Sequence, residues 1–76
     1  MTEKIIQVLS SVIRKTEAEV LALEKTNEHY WDSLQTIEIV FCLEQEFGIT
    51  IDSDDIPSLK SLGSIEEVVR RALKKS

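Results

Sequence analysis

Apolar residues recur at helical spacing through most of the chain. Near the N-terminus, Ile5, Val8, Leu9 and Val12 fall on one helical face, with Ile6 and Ile13 beside them. Thr2 is the expected N-cap, and Arg14 and Lys15 suit the negative end of the helix dipole. The pattern predicts a helix of about three turns that buries one face. Near the C-terminus the same spacing returns in Ile65, Val68, Val69, Ala72 and Leu73, with Arg70, Arg71, Lys74 and Lys75 towards the end. Ser64 followed by Glu67 reads as the capping box that opens this helix.

The central stretch 33–47, "SLQTIEIVFCLEQEF", predicts another helix. Asp32 is its natural N-cap, Gln35 completes a box-like pair, and Gly48 stands where a left-handed C′ residue belongs. Wound at the helical angle it carries two stripes. Thr36, Val40, Leu43 and Phe47 make one, expected to meet the core. Leu34, Glu38, Phe41 and Gln45 make the other, which is mixed. That second stripe is a docking surface on one reading; on the other, Leu34 and Phe41 are simply core. Because both stripes cannot be exposed, the helix is expected at the centre of the bundle.

The connections are less regular. "TEAEVLALEK" has good helix formers and a capping box from Thr16 to Glu19, whereas "TNEHYW" reads as loop. A short helical turn inside a long connection is expected over 16–31. Ile49 and Ile51 alternate as in a strand, but so short a strand has nothing to pair with. Pro57 suits the first turn of a short helix running to Leu62 and stopped by Gly63. The sum is an all-α fold, a small four-helix bundle of three main helices and one short one.

Length narrows this further. A chain of 76 residues is one domain, here 1–76, and buries only about 60% of its unfolded surface. A deep, preorganised active site is not expected. The single Cys42 gives neither an internal disulfide nor a metal cluster, and beside apolar neighbours it reads as a small, partly buried hydrophobe. No apolar run of about 18 residues and no basic-then-apolar leader is present, so no membrane insertion and a cytoplasmic, monomeric protein are expected. A net charge of −5 makes nucleic acid a poor partner.

That charge is unevenly spread. Between Thr26 and Leu59 there is no Lys or Arg, while Glu28, Asp32, Glu38, Glu44, Glu46, Asp52, Asp54 and Asp55 contribute −8 against +3 from the rest. Such a run is either a solvated face or a field that steers a basic partner. It surrounds Ser33. His29, Asp32 and Ser33 are the residue types of a hydrolase triad, but a capping Asp32 is already committed to backbone N–H groups, and no oxyanion loop follows. "DSDDIPSLKSLG" has the acids of a calcium loop without its central Gly or final Glu. What remains is a hydroxyl at a helix N-terminus, where unpaired N–H groups and the dipole favour an attached phosphate. Ser33 reads as a serine that another enzyme modifies.

At these residues the chain resembles the acyl carrier proteins and related peptidyl carriers. The likeness rests on "DSL" at 32–34, "CLEQEFGI" at 42–49 and "LGSIEEVV" at 62–69, and it covers nearly the whole chain. It implies that Ser33 carries 4′-phosphopantetheine, attached by a phosphopantetheinyl transferase that uses coenzyme A and magnesium. The arm's thiol would hold an acyl or aminoacyl group as a thioester for partner enzymes, so the chain itself has no catalytic residue and no metal site. Asp32 would cap the helix and take part in transferase recognition. Leu34, Glu38, Phe41, Gln45 and Ile56 would dock against basic patches on those enzymes. Longer acyl chains would enter a slot lined by Val40, Leu43, Leu59, Leu62 and Val68. Trp31 stands where many carriers have a small residue, Gln35 and Gln45 where the housekeeping protein is acidic, and Pro57 interrupts its third helix. "WDSL" therefore looks like a specialised carrier, and the bulk of Trp31 favours small or polar cargo. The competing class is an unmodified, acidic helical module that binds a basic protein.

Overall fold

The computed structural model describes residues 1–26 and 29–75, leaving out the Lys75 side chain; Glu28 of the acidic run lies outside the described residues. The elements are α1 (Thr2–Ile13), α2 (Glu17–Glu24), α3 (Ser33–Phe47), a 3-10 helix (Ser53–Ser58) and α4 (Leu62–Lys75). All are helical, as the apolar spacing predicts.

The centre of the bundle is α1, not α3. It packs against α2, α3 and α4. The reason lies in its composition: Ile5, Ile6, Val8, Leu9, Val12 and Ile13 are all buried, a face wide enough to serve three neighbours. Helix α3 buries only Ile39, Val40 and Leu43, with Phe47 half-buried and Thr36 at the edge. Its second stripe stays outside. Leu34 is 76% exposed, Phe41 62%, and Ile37 between them 56%. One stripe is buried as expected, but the central place expected for α3 fails, because a helix on the outside of a small bundle has only one neighbour-facing side.

The innermost side chains come from every layer: Ile5 and Leu9 of α1, Val20 of α2, Ile39 and Leu43 of α3, Leu59 after the 3-10 helix, and Ile65 and Val69 of α4. Ile49 and Ile51 are buried too, in backbone that is neither helix nor strand. The Ile51 N–H instead donates to Glu44 Oε2 at 2.9 Å.

Capping follows the sequence where the partners are local. Thr16 and Glu19 form the expected box, and bonding to Thr16 holds the Glu19 carboxyl below its ordinary pKa. Their helix is longer than a single turn, eight residues through Glu24. Gly48 closes α3 at φ 62°, a left-handed conformation that glycine adopts without steric cost. Three expectations shift. Met1, not Thr2, occupies the N-cap of α1, and Arg14 ends that helix in the left-handed region at φ 60°. The 3-10 helix begins at Ser53, so Pro57 lies near its end. Helix α4 opens at Leu62, so Gly63 lies in its first turn and is not the stop of the preceding short helix, which ends at Ser58. Its cap is Ser61, whose Oγ accepts the Ser64 N–H at 3.3 Å while Ser64 Oγ accepts the Ser61 N–H at 3.0 Å. Ser64 thus plays the third-position part expected of Glu67.

One carboxylate joins three separated segments. Glu24, at the end of α2, accepts the Tyr30 O–H on Oε2 and the Leu62 N–H on Oε1 at 3.0 Å. The first bond fixes the loop before α3, and the second satisfies an open donor at the start of α4. Burial, and next the Glu24 carboxylate, push the Tyr30 phenol above its ordinary pKa.

Two outcomes follow. A phenol whose folded pKa is raised contributes stability that is complete below the unfolded value of about 10 and declines as pH rises from there. Absorbance titration of this sole tyrosine should show ionisation above that value, and Tyr30→Phe should flatten the alkaline loss of stability. Ser61→Ala should cost about 1 kcal/mol in denaturant unfolding, as removal of an N-cap does, whereas Glu67→Ala should change stability by less than about 0.5 kcal/mol.

Candidate functional site

Between Tyr30 and Ser33 the backbone passes from core to surface. Trp31 is 5% exposed and is met edge-on by the rings of Tyr30 at 4.8 Å and His29 at 5.0 Å. Its indole N–H has no hydrogen-bond partner among the described residues. Asp32 follows in extended backbone, with φ −96° and ψ −177°. Its Oδ1 accepts the Gln35 N–H at 2.8 Å, and Gln35 Oε1 returns the bond to the Asp32 N–H at 3.0 Å. Thr36 adds its own N–H and hydroxyl to the Asp32 carbonyl, at 2.9 and 3.0 Å. Ser33 is then the first residue of α3, with its side chain exposed.

This arrangement excludes the triad on geometry. The Asp32 carboxylate is held in the cap, and His29 lies against Trp31. What Ser33 offers is an accessible hydroxyl at the positive end of a 15-residue helix, where the first N–H groups lack intrahelical partners. An ester-linked phosphate fits there, because its negative charge meets the dipole.

Ser33 also opens onto a groove of about 390 Å³ between the head of α3 and the segment around the 3-10 helix. Leu34, Ile37, Ile56, Pro57 and Leu59 form its apolar walls, with Thr36, His29 and Lys60 completing it. Among the described residues no acid lines it. Four of the acids expected around Ser33 have bonds or cations of their own: Asp32 caps, Glu44 accepts from Ile51, Glu46 pairs with Lys4, and Asp55 lies 3.6 Å from Arg71.

The residues expected to form an acyl slot are not gathered at this groove. Leu59 lines it. Val68 lines a different cavity of about 340 Å³ with Ile51, Asp55 and Arg71, Val40 and Leu43 are packed in the core, and Leu62 is half-buried at the start of α4. The groove is walled by partly exposed side chains that core-seeking patterns pass over, Ile37 and Pro57 among them. Ile37 was legible in principle, standing three residues after Leu34 and four before Phe41. Trp31 does not narrow the mouth of the groove, because its ring is in the core. Of the expected docking residues, Leu34, Glu38, Phe41 and Gln45 are exposed and Ile56 half-buried. Cys42 is half-buried against the core, and no cluster of potential metal ligands occurs among the described residues. No helix among them is long and apolar enough to cross a membrane.

Comparison with known proteins agrees with this geometry. The family model for the phosphopantetheine attachment site matches residues 3–71. The chain is similar to acyl carrier protein 4, chloroplastic, of Cuphea lanceolata, with 32% identity over 59 residues, covering 78% of this chain and 42% of the relative. It is similar to acyl carrier protein 2, chloroplastic, of Spinacia oleracea, with 30% identity over 70 residues, covering 91% of this chain and 54% of the relative. Acyl carrier protein 1, chloroplastic, of the same plant is 41% identical over 44 residues, or 58% of this chain and 32% of the relative. The chain thus spans about half, or less, of the length of these relatives. No solved structure matches it significantly. An exposed serine opening a capped helix, in a compact all-helical domain matched almost end to end, places the chain in the phosphopantetheine-attachment family of acyl carrier proteins, non-catalytic carriers with covalent 4′-phosphopantetheine as cofactor.

Proposed function

We propose that Ser33 is the attachment residue and that the chain carries an acyl group between enzymes of a lipid or polyketide-type secondary-metabolite pathway. The observation that supports this most is the exposed Ser33 hydroxyl at the first position of α3, directly after a cap held on both sides by Asp32 and Gln35. When bound, the arm supplies a thiol that holds an acyl group as a thioester. Asp32 sets where the helix starts, and so where the Ser33 oxygen stands. The partners are a phosphopantetheinyl transferase and acyl-loading and acyl-transferring enzymes, visited by a monomeric carrier. Its compartment is proposed as the cytoplasm; the plant relatives carry chloroplastic names.

The groove bears on cargo. Its apolar walls beside Ser33 favour an acyl chain over a small polar unit, the reverse of what the bulk of Trp31 suggests in sequence. A chain folded back into the groove would cover Leu34, Ile37 and Ile56 and leave water. Each methylene so buried is worth at most about 0.8 kcal/mol, less where one side stays open to solvent.

Incubation with coenzyme A, magnesium and a broad-specificity transferase should add one phosphopantetheine mass to the wild type and none to an equally folded Ser33→Ala. Labelling at another serine would move the site. Loading with acetyl, hexanoyl and decanoyl thioesters should raise the unfolding temperature along the series. A flat series would point instead to small or polar cargo that stays in solvent.

A further inference from the structure

Positive charge is scarce in the middle of the chain, and what there is collects beside Ser33. Between Lys25 and Arg70 the sequence has a single Lys or Arg, Lys60, and the protein has a single histidine, His29. His29 lies before α3 and Lys60 before α4, yet both line the groove onto which Ser33 opens. Among the described residues no acid joins them there. Two other clefts differ. In one of about 300 Å³ between α1 and α3, bordered by Phe41 and Cys42, Lys4 is paired with Glu46. In the one of about 340 Å³ lined by Val68, Arg71 has Asp55 3.6 Å away. Of the three, the Ser33 groove alone presents a cation with no carboxylate among its described lining residues.

The fold places both residues and leaves their polar ends available. The Lys60 N–H donates to the Ser58 carbonyl at 2.9 Å and to Ser64 Oγ at 3.1 Å, which fixes its backbone at the turn into α4. The residue is otherwise exposed, and the ion pairs among the described residues belong to Lys4 and Arg71. His29 sets its ring edge-on to Trp31 at 5.0 Å. Because Trp31 is buried, it gives the imidazole a firm support at the edge of the groove.

A cation set against the apolar walls of Ile37, Ile56 and Leu59 suits a ligand with an anionic head and an uncharged stem. The phosphopantetheine arm has that form: a phosphodiester with a single negative charge, followed by a stem with two methyl groups and two amides. We infer that Lys60 and His29 hold the phosphodiester of the arm on Ser33, so that the arm starts out along the groove instead of into solvent. The inference rests on the Ser33 attachment proposed above and assigns residues of this chain to the arm itself. Lys60 supplies a charge-assisted N–H···O bond, and His29 donates a ring N–H. A lysine suits this part because its point charge sits on a flexible stem, without the fixed fork of an arginine. The arm is thereby held between enzymes and released when one of them draws it out.

The test is NMR on the full chain with and without the arm, whose attachment is first verified by mass. In the loaded wild type, the two methyl groups of the stem should show Overhauser contacts to Ile37, Ile56 or Leu59. Lys60→Ala removes no side-chain bond of the fold, and should shift the phosphorus resonance and weaken those contacts. The double variant with His29→Ala should abolish them, whereas Lys60→Arg should keep them. Raising salt from about 0.05 to about 0.5 M should weaken them in the wild type, because an exposed pair is screened. Arg70→Ala, at an exposed cation outside the groove, should change nothing. Contacts absent from the loaded wild type would overturn the inference, as would contacts and a phosphorus resonance unmoved in Lys60→Ala and in the double variant. Equal loss in Arg70→Ala would overturn it too. An arm missing from the wild type, or retained by Ser33→Ala, defeats the attachment reading and this inference with it, and is seen in the mass alone.

Discussion

The Asp32 cap is the constraint on which the site depends. Just before it Trp31 is driven into the core, and just after it Ser33 must be outside, because the first turn of α3 carries its side chains past the edge of the bundle. Reciprocal bonds with Gln35 set the first residue of the helix, and the Thr36 bonds to the Asp32 carbonyl reinforce it. A start displaced by one residue would turn Ser33 by about 100° around the helix axis, away from its groove. Upstream, Glu24 ties Tyr30 to the head of α4, so the strand of chain entering the cap is itself fastened at both ends.

Part of the acidity of the chain has an internal purpose. Glu19 and Asp32 cap helices, Glu24 joins α2, the loop and α4, and Glu44 takes up the N–H of Ile51, in a segment outside any helix. Glu46 and Asp55 have cations close by. In a domain with a modest core, such bonds supply the local order that burial alone leaves incomplete. Two of them, Glu44 and Glu46, are acids of α3 that thereby have partners within the chain. Net charge is therefore a poor guide to the field a partner meets on α3.

The same economy of size shapes that face. With α1 occupying the centre, α3 has neighbours on one side only, and its apolar residues divide between Ile39, Val40 and Leu43 inside and Leu34, Ile37 and Phe41 outside. The exposed set does not help hold the bundle together. It lies beside an accessible serine, with grooves at both ends.

Read alone, the sequence determines the features that depend on near neighbours in the chain. The Asp32–Gln35 and Thr16–Glu19 boxes, the Gly48 stop, the buried face of α1 and the helix order are all set by contacts three or four residues apart, and each is legible in "DSLQ", "TEAE" or the apolar spacing. The "DSL" and "CLEQEFGI" segments also carry the family. Only the tertiary structure decides which of two similar stripes on α3 is buried, because that depends on where α1 lies and not on α3 itself. It likewise selects Ser61 over Ser64 as the α4 cap, two serines of equal intrinsic suitability, and forms beside Ser33 a groove whose walls include exposed residues such as Ile37 and Pro57. Above all it assigns the carboxylates. Glu24 meets Leu62 38 residues later and Glu46 meets Lys4 on another helix, pairings that no local pattern encodes because they exist only once distant segments are packed together.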